Sequence, residues 1–473
     1  MKIPTGMLIA GTWRESSVYE SINDKFTDDV LASIAVSDEH QVNEAMHAAR
    51  DAAESGLSIE TRVELLRRAA DYLAEDAEEL ADLICGETGK ILVDARGEVR
   101  RTVALLRTCA EESLRLGGDV MPTAPGKDGK LAFRQYEPVG VVAAIAPFNA
   151  PLILMAHKVG PALAAGNAVV GKPALEAPIG SVMLFEALRK AAADVQAPPG
   201  VIGLVQGGAE VGRWLIESPE VDLVSFTGGA RTGDAIARAV GMKPTVFELG
   251  GNSAAIVAQD ADLDNVIESA VKQSFQHAGQ VCISLQRIYV HEDIKDEFTG
   301  RFVERAGQIT VGNPHELGTQ MGPVLRDHDA DRITDWIEQA CIAGGKRLLG
   351  GRREGRLMWP TVLADVPEEQ PIVAEEVFGP VVSILGYADE DDAVRRVNEG
   401  PYGLQAGVFS GSIDRAFKLA RAMKVRGIQI NDGPAFREDT WPYGGRKASG
   451  LGTEGPHWAI REMSVSKLFV LNL

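Results

Sequence analysis

Apolar positions recur along this chain with two different periods, and the change from one to the other marks its organisation. In the first part the spacing is helical. It predicts helices over 41–53, 62–85 and 98–116, and in the second of these Leu65, Leu66, Ala69, Leu73, Leu80 and Ile84 fall on one face. Residues 122–130 read as a polar, glycine-bearing connection. Residues 131–136 read as a strand, with Leu131, Phe133 and Gln135 alternating against Ala132, Arg134 and Tyr136. From residue 138 onward short apolar runs alternate with helical stretches. Strands are expected at 141–146, 168–171, 201–205, 221–227 and 245–249, with helices at 151–165, 179–193, 209–217 and 230–240 between them. Strands alternating with helices imply right-handed crossovers and a parallel sheet, a doubly wound nucleotide-binding architecture. A second α/β unit is expected to follow, with helices at 263–278, 292–306, 329–343 and 391–398 and strands at 287–290 and 381–387. Residues 464–470 read as a last strand.

Composition narrows the class. The 473 residues suggest roughly three domains at about 150 residues each. Hydrophobic residues make up 45% and charged residues 24%, as in ordinary globular proteins, which excludes disordered and collagen-like chains. The formal charge of −19 repels phosphate backbones, so no nucleic-acid partner is expected. The four cysteines, Cys85, Cys109, Cys282 and Cys341, lie far apart with no zinc spacing, so no metal site or disulfide framework is expected, and a reducing, cytoplasmic setting is. Residues 1–13 lack the apolar core of a signal peptide. Residues 138–156 are nearly all apolar, but Gly140, Pro147, Asn149 and Pro151 interrupt them. They read as buried strand, turn and helix start rather than a membrane span, and no membrane partner is expected.

Fifty glycines are about one and a half times the usual ~7% share, and several follow strands. Ser225-Phe226-Thr227-Gly228-Gly229 leaves a strand and opens a helix, where backbone N–H groups and the helix dipole suit an anionic phosphate. Gly207, Gly208 and Gly212 make a similar turn one unit earlier. Neither spacing is G-x-G-x-x-G, and ordinary strand-to-helix turns explain both equally well. Lys172 ends a strand, the place where parallel sheets bind ligands. Glu248 also ends an apolar strand, before Gly250-Gly251. Burial there suits a general base, while the twenty-residue offset from Gly228 suits a ribose-binding acid; spacing leaves both roles open. Cys282, in Gly279-Gln280-Val281-Cys282-Ile283, is either a small core residue or a nucleophile. The nearest histidine in sequence is His277, a weak basis for a cysteine–histidine protease.

Together with Pro147-Phe148-Asn149-Ala150-Pro151, Glu375-Glu376-Val377-Phe378-Gly379-Pro380 and the run Pro442 to Gly450, these segments occur in the order found in the NAD(P)-dependent aldehyde dehydrogenase superfamily. The chain resembles that family over nearly its whole length. The resemblance implies a Cys282 thiolate that attacks the aldehyde to give a thiohemiacetal, an oxyanion held by the Asn149 amide and the Cys282 N–H, hydride transfer to the nicotinamide, and Glu248-assisted hydrolysis of the resulting thioester. It implies a proton relay through Lys158. It also implies cofactor contacts from Lys172, Leu175, Gly208, Gly212, Phe226, Gly229, Glu376 and Phe378. The family's fold would place a cofactor domain at 1–119 and 139–247, a catalytic domain at 248–446, and an oligomerisation arm and tail at 120–138 and 447–473. Homodimers or homotetramers are expected.

Two features bear on specificity. Relatives that prefer NAD carry a Glu where this chain has Leu175. Leu neither accepts from the ribose 2′-hydroxyl nor repels a 2′-phosphate, so the cofactor is expected to be NAD(P)+ with both forms open. Glu176 is one place further on. Family pocket positions fall on Phe148, Ala150, Leu154, His157, Val281, Ile283, Trp441 and Tyr443. The segment Phe436-Arg437-Glu438-Asp439 resembles the lactaldehyde and glyceraldehyde-phosphate branch, which implies a small polar aldehyde; aromatic and semialdehyde substrates are the alternatives. A CoA-acylating enzyme would lack Glu248, and a structural protein retaining the fold would have no use for Asn149, Glu248 and Cys282 together.

Overall fold

The computed structural model describes residues 2–123 and 129–473; residues 124–128 of the connection expected at 122–130 lie outside the described residues. Strands Ile202–Leu204, Ala168–Lys172, Val141–Ile145, Leu223–Gly228 and Thr245–Leu249 run parallel in that spatial order. The chain order reverses beside Val141–Ile145, so a crevice opens beyond the carboxyl ends of this strand and Leu223–Gly228, the usual ligand position in such sheets. A hairpin, Met7–Ile9 with Thr12–Arg14, extends one edge, and Gly450–Leu451 closes the other, pairing with Phe247 and Glu248.

A second sheet holds, in spatial order, Lys346–Leu349, Thr361–Ala364, Val381–Tyr387, Leu285–His291, Ser253–Val257, Gln405–Phe409 and Gly427–Ile430, parallel except at the first pair. Only Gly250-Gly251-Asn252 separates Leu249 of the first sheet from Ser253 of the second. Glu248 therefore sits at the joint between two apolar cores. A three-stranded antiparallel sheet, Asp119–Met121, Lys130–Pro138 and Ser464–Asn472, stands apart from both.

Most expected elements are present within a few residues, and the differences have local causes. The helix expected at 62–85 is two, Ile59–Glu75 and Ala77–Thr88, with Asp76 between them at φ −102°, ψ 17°. Asp competes with helical hydrogen bonding and favours helix ends; the apolar face simply continues across the break. The helix expected at 263–278 stops at Phe275 because the next residues turn left-handed. Helix Leu92–Arg115 begins six residues before the expected 98. Strands such as Ser253–Val257, Thr361–Ala364 and Gln405–Phe409 were not expected. They are short, buried along their whole length and therefore show no alternation. Helices Ile413–Ala422 and Pro456–Glu462 were likewise not expected, since their buried faces rest on few large apolar residues.

Candidate active site

Cys282 follows a strained turn. After Phe275, His277, Ala278 and Gly279 take φ of 50°, 53° and 71°, three left-handed residues in a row. For the first two this region is sparsely populated. At Gly279 only glycine fits, since a Cβ would lie 2.1 Å from the carbonyl oxygen of Gly379. The turn reverses the chain and brings Cys282 to a cavity of about 440 Å³ lined by Asn149, Ala150, Leu154, His157, Val281, Ile283, Arg437 and Tyr443. A wider groove of about 760 Å³ shares Val93, Asp94, Gln276, Ala435 and Phe436 with this cavity and forms its approach.

Asn149 comes from the crevice of the first sheet, between strand Val141–Ile145 and helix Pro151–Ala165. Its Nδ2 donates to the Gln280 carbonyl at 2.9 Å, which ties the oxyanion candidate to the nucleophile loop. Burial pushes the Cys282 thiol up to about 11, and the Tyr443 hydroxyl, 3.3 Å from Sγ, pulls it back. His277 makes no pair with Cys282. Both its ring nitrogens lack hydrogen-bond partners among the described residues, and burial drives its pKa well below the usual imidazole range, so a cysteine–histidine pair is not formed.

Behind the cysteine lies a chain of buried charges. Lys158, fully buried, donates through Nζ to Thr227 Oγ1 at 2.6 Å and to Glu454 Oε1 at 3.1 Å. Arg437 donates to Glu454 Oε2 at 2.9 Å, and its guanidinium lies 3.9 Å over the Tyr443 ring. Burial opposes ionisation of Glu454, but Lys158 and Arg437 more than offset it and hold the carboxyl at about 2. His157 Nε2 is 2.9 Å from Asp439 Oδ1 and 3.0 Å from Arg437 Nη2, and Asp439 is gripped by both arms of Arg101 at 2.7 and 2.8 Å. Burial, and then Arg437, lower the His157 pKa, against Asp439 and Glu454, which raise it. Glu248 is different. It is 3% exposed, and neither carboxylate oxygen has a hydrogen-bond partner among the described residues. Burial, and then the charge of Glu454, raise its pKa well above the usual carboxylate range.

The candidate cofactor residues line the crevice side. Gly208 and Gly229 are the N-cap residues of helices Ala209–Glu217 and Ala230–Val240, with no side-chain cap, and nothing lies within 4 Å of where a Cβ would stand at either. Such open helix starts suit phosphates. Gly212 brings its backbone to the Lys172 side chain; a Cβ there would be 3.6 Å from Cδ and Cε. Burial lowers Lys172 to about 8, and its Nζ donates to the Pro173 carbonyl at 2.9 Å. Leu175 is half-buried and Glu176 exposed, with the Glu176 carboxylate 3.5 Å from Arg326. Phe226 is buried against Phe247. Glu376 accepts from the Gly251 N–H at 3.0 Å and is pushed by burial up to about 7. Phe378 takes a positive φ of 51° and meets Phe148 edge-on, with ring centroids 5.8 Å apart.

Phe148 does not line the cavity; it packs between Phe378 and the Arg326 guanidinium, which lies 4.6 Å from its centroid. These neighbours are distant in sequence, so spacing gives no warning. Trp441, 59% exposed, meets Phe436, which lines both the cavity and its approach. Conversely Arg101, Thr227, Arg437, Asp439 and Glu454 enter the charged chain, although sequence reasoning assigned them no role. The segment Phe436–Asp439 stood out only as a pattern, and Glu454 looks like any loop acid. Among the described residues no cluster of three or more His, Cys, Asp or Glu could hold a metal, and no helix is long and apolar enough to cross a membrane.

Comparison with known proteins matches residues 13–469 to the aldehyde dehydrogenase family. The chain is 42% identical over 471 residues to a 3-sulfolactaldehyde dehydrogenase of Priestia megaterium, covering 99% of this chain and 98% of that protein. It is 36% identical over 469 residues to a lactaldehyde dehydrogenase of Methanocaldococcus jannaschii, covering 98% and 100%. The NADP complex of an NADP-dependent glyceraldehyde-3-phosphate dehydrogenase from Bacillus halodurans superposes with a TM-score of 0.95 at 36% identity, covering 100% of each chain.

Proposed function

The chain belongs to the aldehyde dehydrogenase family and is an NAD(P)-dependent aldehyde dehydrogenase, and from that premise we propose that Cys282, Asn149 and Glu248 carry the oxidation of a small polar aldehyde to its acid. The observation that supports this reading most is the convergence of Asn149 and Cys282 on one cavity, with a buried, unpartnered Glu248 near enough for its charge to raise the thiol.

In this reading the Cys282 thiolate attacks the carbonyl carbon, and the oxygen turns anionic beside the Asn149 amide and the Cys282 N–H. The bound nicotinamide supplies a two-electron acceptor for the thiohemiacetal carbon. Glu376 would hold its ribose, and Phe378 would lie at the nicotinamide end. Lys172, Leu175, Gly208, Gly212, Phe226 and Gly229 would hold the adenosine and phosphates. Leu175 sets no charge against a 2′-phosphate, and Glu176 is turned to Arg326, so NADP fits at least as well as NAD. Glu248 then takes a proton from the water that attacks the thioester, with the Lys158–Glu454 pair close enough for its charges to act on it.

The cavity is lined by Asp94 and Glu98 as well as Arg100, Arg101, Arg437 and His157, and Arg101 and Arg437 are held by Asp439 and Glu454. This polar lining favours a short polar aldehyde over an aromatic one, in line with the substrates named for the relatives. Within this reading the first sheet belongs to a cofactor domain at 1–119 and 139–247 and the second to a catalytic domain at 248–446. The sheet built from 120–138 and the tail exposes Val120 and Val465 on one face and Leu468 and Val470 on the other, apolar surface suited to another subunit in a homo-oligomer. The free cysteines suit a reducing cytoplasm.

Cys282→Ala tests the nucleophile. NAD(P)H formation from sulfolactaldehyde, lactaldehyde and glyceraldehyde 3-phosphate is expected to vanish while cofactor binding persists. Turnover close to that of the unaltered enzyme would sink the assignment, and a CoA requirement with acyl-CoA as product would replace hydrolysis with acyl transfer.

A further inference from the structure

Tyr443 is held as though its hydroxyl had one purpose. Backbone hydrogen bonds pair it with Glu454 in both directions, at 3.1 and 2.8 Å. Its ring packs against Ile283 and Leu404, and the Arg437 guanidinium covers the other part of the ring at 3.9 Å. Arg437 is itself anchored on Glu454 and His157. The residue is buried, and among the described residues the Cys282 sulfur is the hydroxyl's hydrogen-bond partner, at 3.3 Å. A buried phenol aimed at a single sulfur in a rigid cage is a geometric arrangement, and it favours one state of that sulfur over the other.

We propose that Tyr443 is a positioning residue of the reaction: its O–H donates to Cys282 Sγ and stabilises the thiolate both as attacking group and as leaving group. This rests on the reading of Cys282 as nucleophile. In the first step the thiol proton leaves to solvent, the sulfur lone pair forms the S–C bond, and the hydrogen bond from Tyr443 is released as the charge moves to the aldehyde oxygen. In the last step water oxygen bonds the acyl carbon, its proton goes to Glu248, the C–S bond breaks, and the sulfur leaves with the electron pair toward the Tyr443 O–H. Tyr443 keeps its own proton throughout. Burial and the neighbouring Cys282 sulfur push the phenol well above its usual range, so it remains a donor. The charged and titratable groups that act most on Cys282 are Tyr443, Glu376, Arg437 and Glu248, and those that act most on Tyr443 are Cys282, Arg437 and Glu248; the cavity also holds Lys90, Asp94, Glu98, Arg100, Arg101, His157 and His277. Of the four that act most on Cys282, Arg437 and Tyr443 favour the thiolate, and the two glutamates oppose it.

The test is the ionisation midpoint of Cys282, read as thiolate absorbance in the difference between each protein and its Cys282→Ala counterpart. Tyr443→Phe keeps the ring and its packing but removes the donor. A hydrogen bond to a charged sulfur is worth about one pH unit or more, so the midpoint is expected to rise by at least that, with kcat falling about tenfold and KM nearly unchanged. A ring-fluorinated tyrosine at position 443, a stronger donor, is expected to move the midpoint down. A midpoint unchanged in both proteins overturns the proposal even if activity falls, because a residue that only packs the cavity would lower activity without moving the thiol. Turnover retained by Cys282→Ala in the Tyr443 background would instead overturn the nucleophile reading, and the midpoint data would stand apart from it.

Discussion

Buried glutamates are used in two opposite ways in this molecule, at helix starts by Glu87 and Glu98 and at a strand end by Glu248. Glu87 accepts the N–H groups of Ile179 and Gly180, both at 2.7 Å, and Glu98 accepts those of Leu152 and Ile153 while also binding Lys90. Each carboxylate closes the start of a helix, where unpaired N–H groups and the dipole favour an anion. Glu248 is as deeply buried but has no such donors among the described residues. Raised proton affinity alone does not separate the two groups, since burial also pushes Glu87 up, to about 8, against its two N–H bonds and Lys25. The difference is in the lone pairs. Those of Glu87 are committed to backbone, whereas those of Glu248 are free to take a proton from water. A buried acid with its bonds made holds structure together, and one left without bonds is available for chemistry.

The strongest way to test this contrast is Glu248→Gln. General-base help is worth about 10²–10⁴-fold, and thioester hydrolysis is expected to slow by that much with cofactor affinity retained. A pre-steady-state burst of NAD(P)H should appear, with acyl-enzyme on Cys282. In the unaltered enzyme the hydrolysis rate should climb with pH as Glu248 loses its proton, through a range above that of an ordinary carboxylate, because its charged form is the one burial disfavours. Weakened cofactor binding with hydrolysis untouched would return Glu248 to a ribose role.

Glu87→Ala is the opposite case. It leaves two buried N–H groups at a helix start unpaired, at about 1–3 kcal/mol each, so stability against denaturant should fall by about 2–6 kcal/mol. Chemistry in the folded fraction should persist. A loss of turnover without loss of stability would mean that Glu87, too, acts on the reaction.

The smallest expected effect lies at the far end of the crevice. Leu175→Glu adds an acceptor for a ribose hydroxyl and a charge against a 2′-phosphate. The ratio of kcat/KM for NAD to that for NADP should rise about tenfold, the equivalent of about 1.4 kcal/mol. An unchanged ratio would place the adenosine ribose away from Leu175.

Much of this molecule is legible in its sequence. The helices over 151–165, 209–217 and 230–240 and the strand Thr245–Leu249 stand within a residue or so of where the period puts them, because their length and their contrast of apolar and polar positions are local properties. The candidate nucleophile is local too, since Gly279 and Cys282 lie in one short segment, but the left-handed turn from His277 falls where a helix is expected. What the sequence does not carry is the company each side chain keeps. Lys158 and Glu454 are 296 residues apart and 3.1 Å from one another, and Arg101 and Asp439 are 338 apart. Whether a buried glutamate meets backbone N–H groups at a helix start or lies among apolar neighbours depends on which elements become neighbours. That is settled by burial and pairing across the whole chain, not by the residues on either side. Thus the sequence alone determined the kind of elements and the candidate nucleophile, while the tertiary structure decided that Glu248 has no hydrogen-bond partner among the described residues, that Phe148 packs against Phe378 and Arg326, and that the Tyr443 hydroxyl meets the sulfur of Cys282.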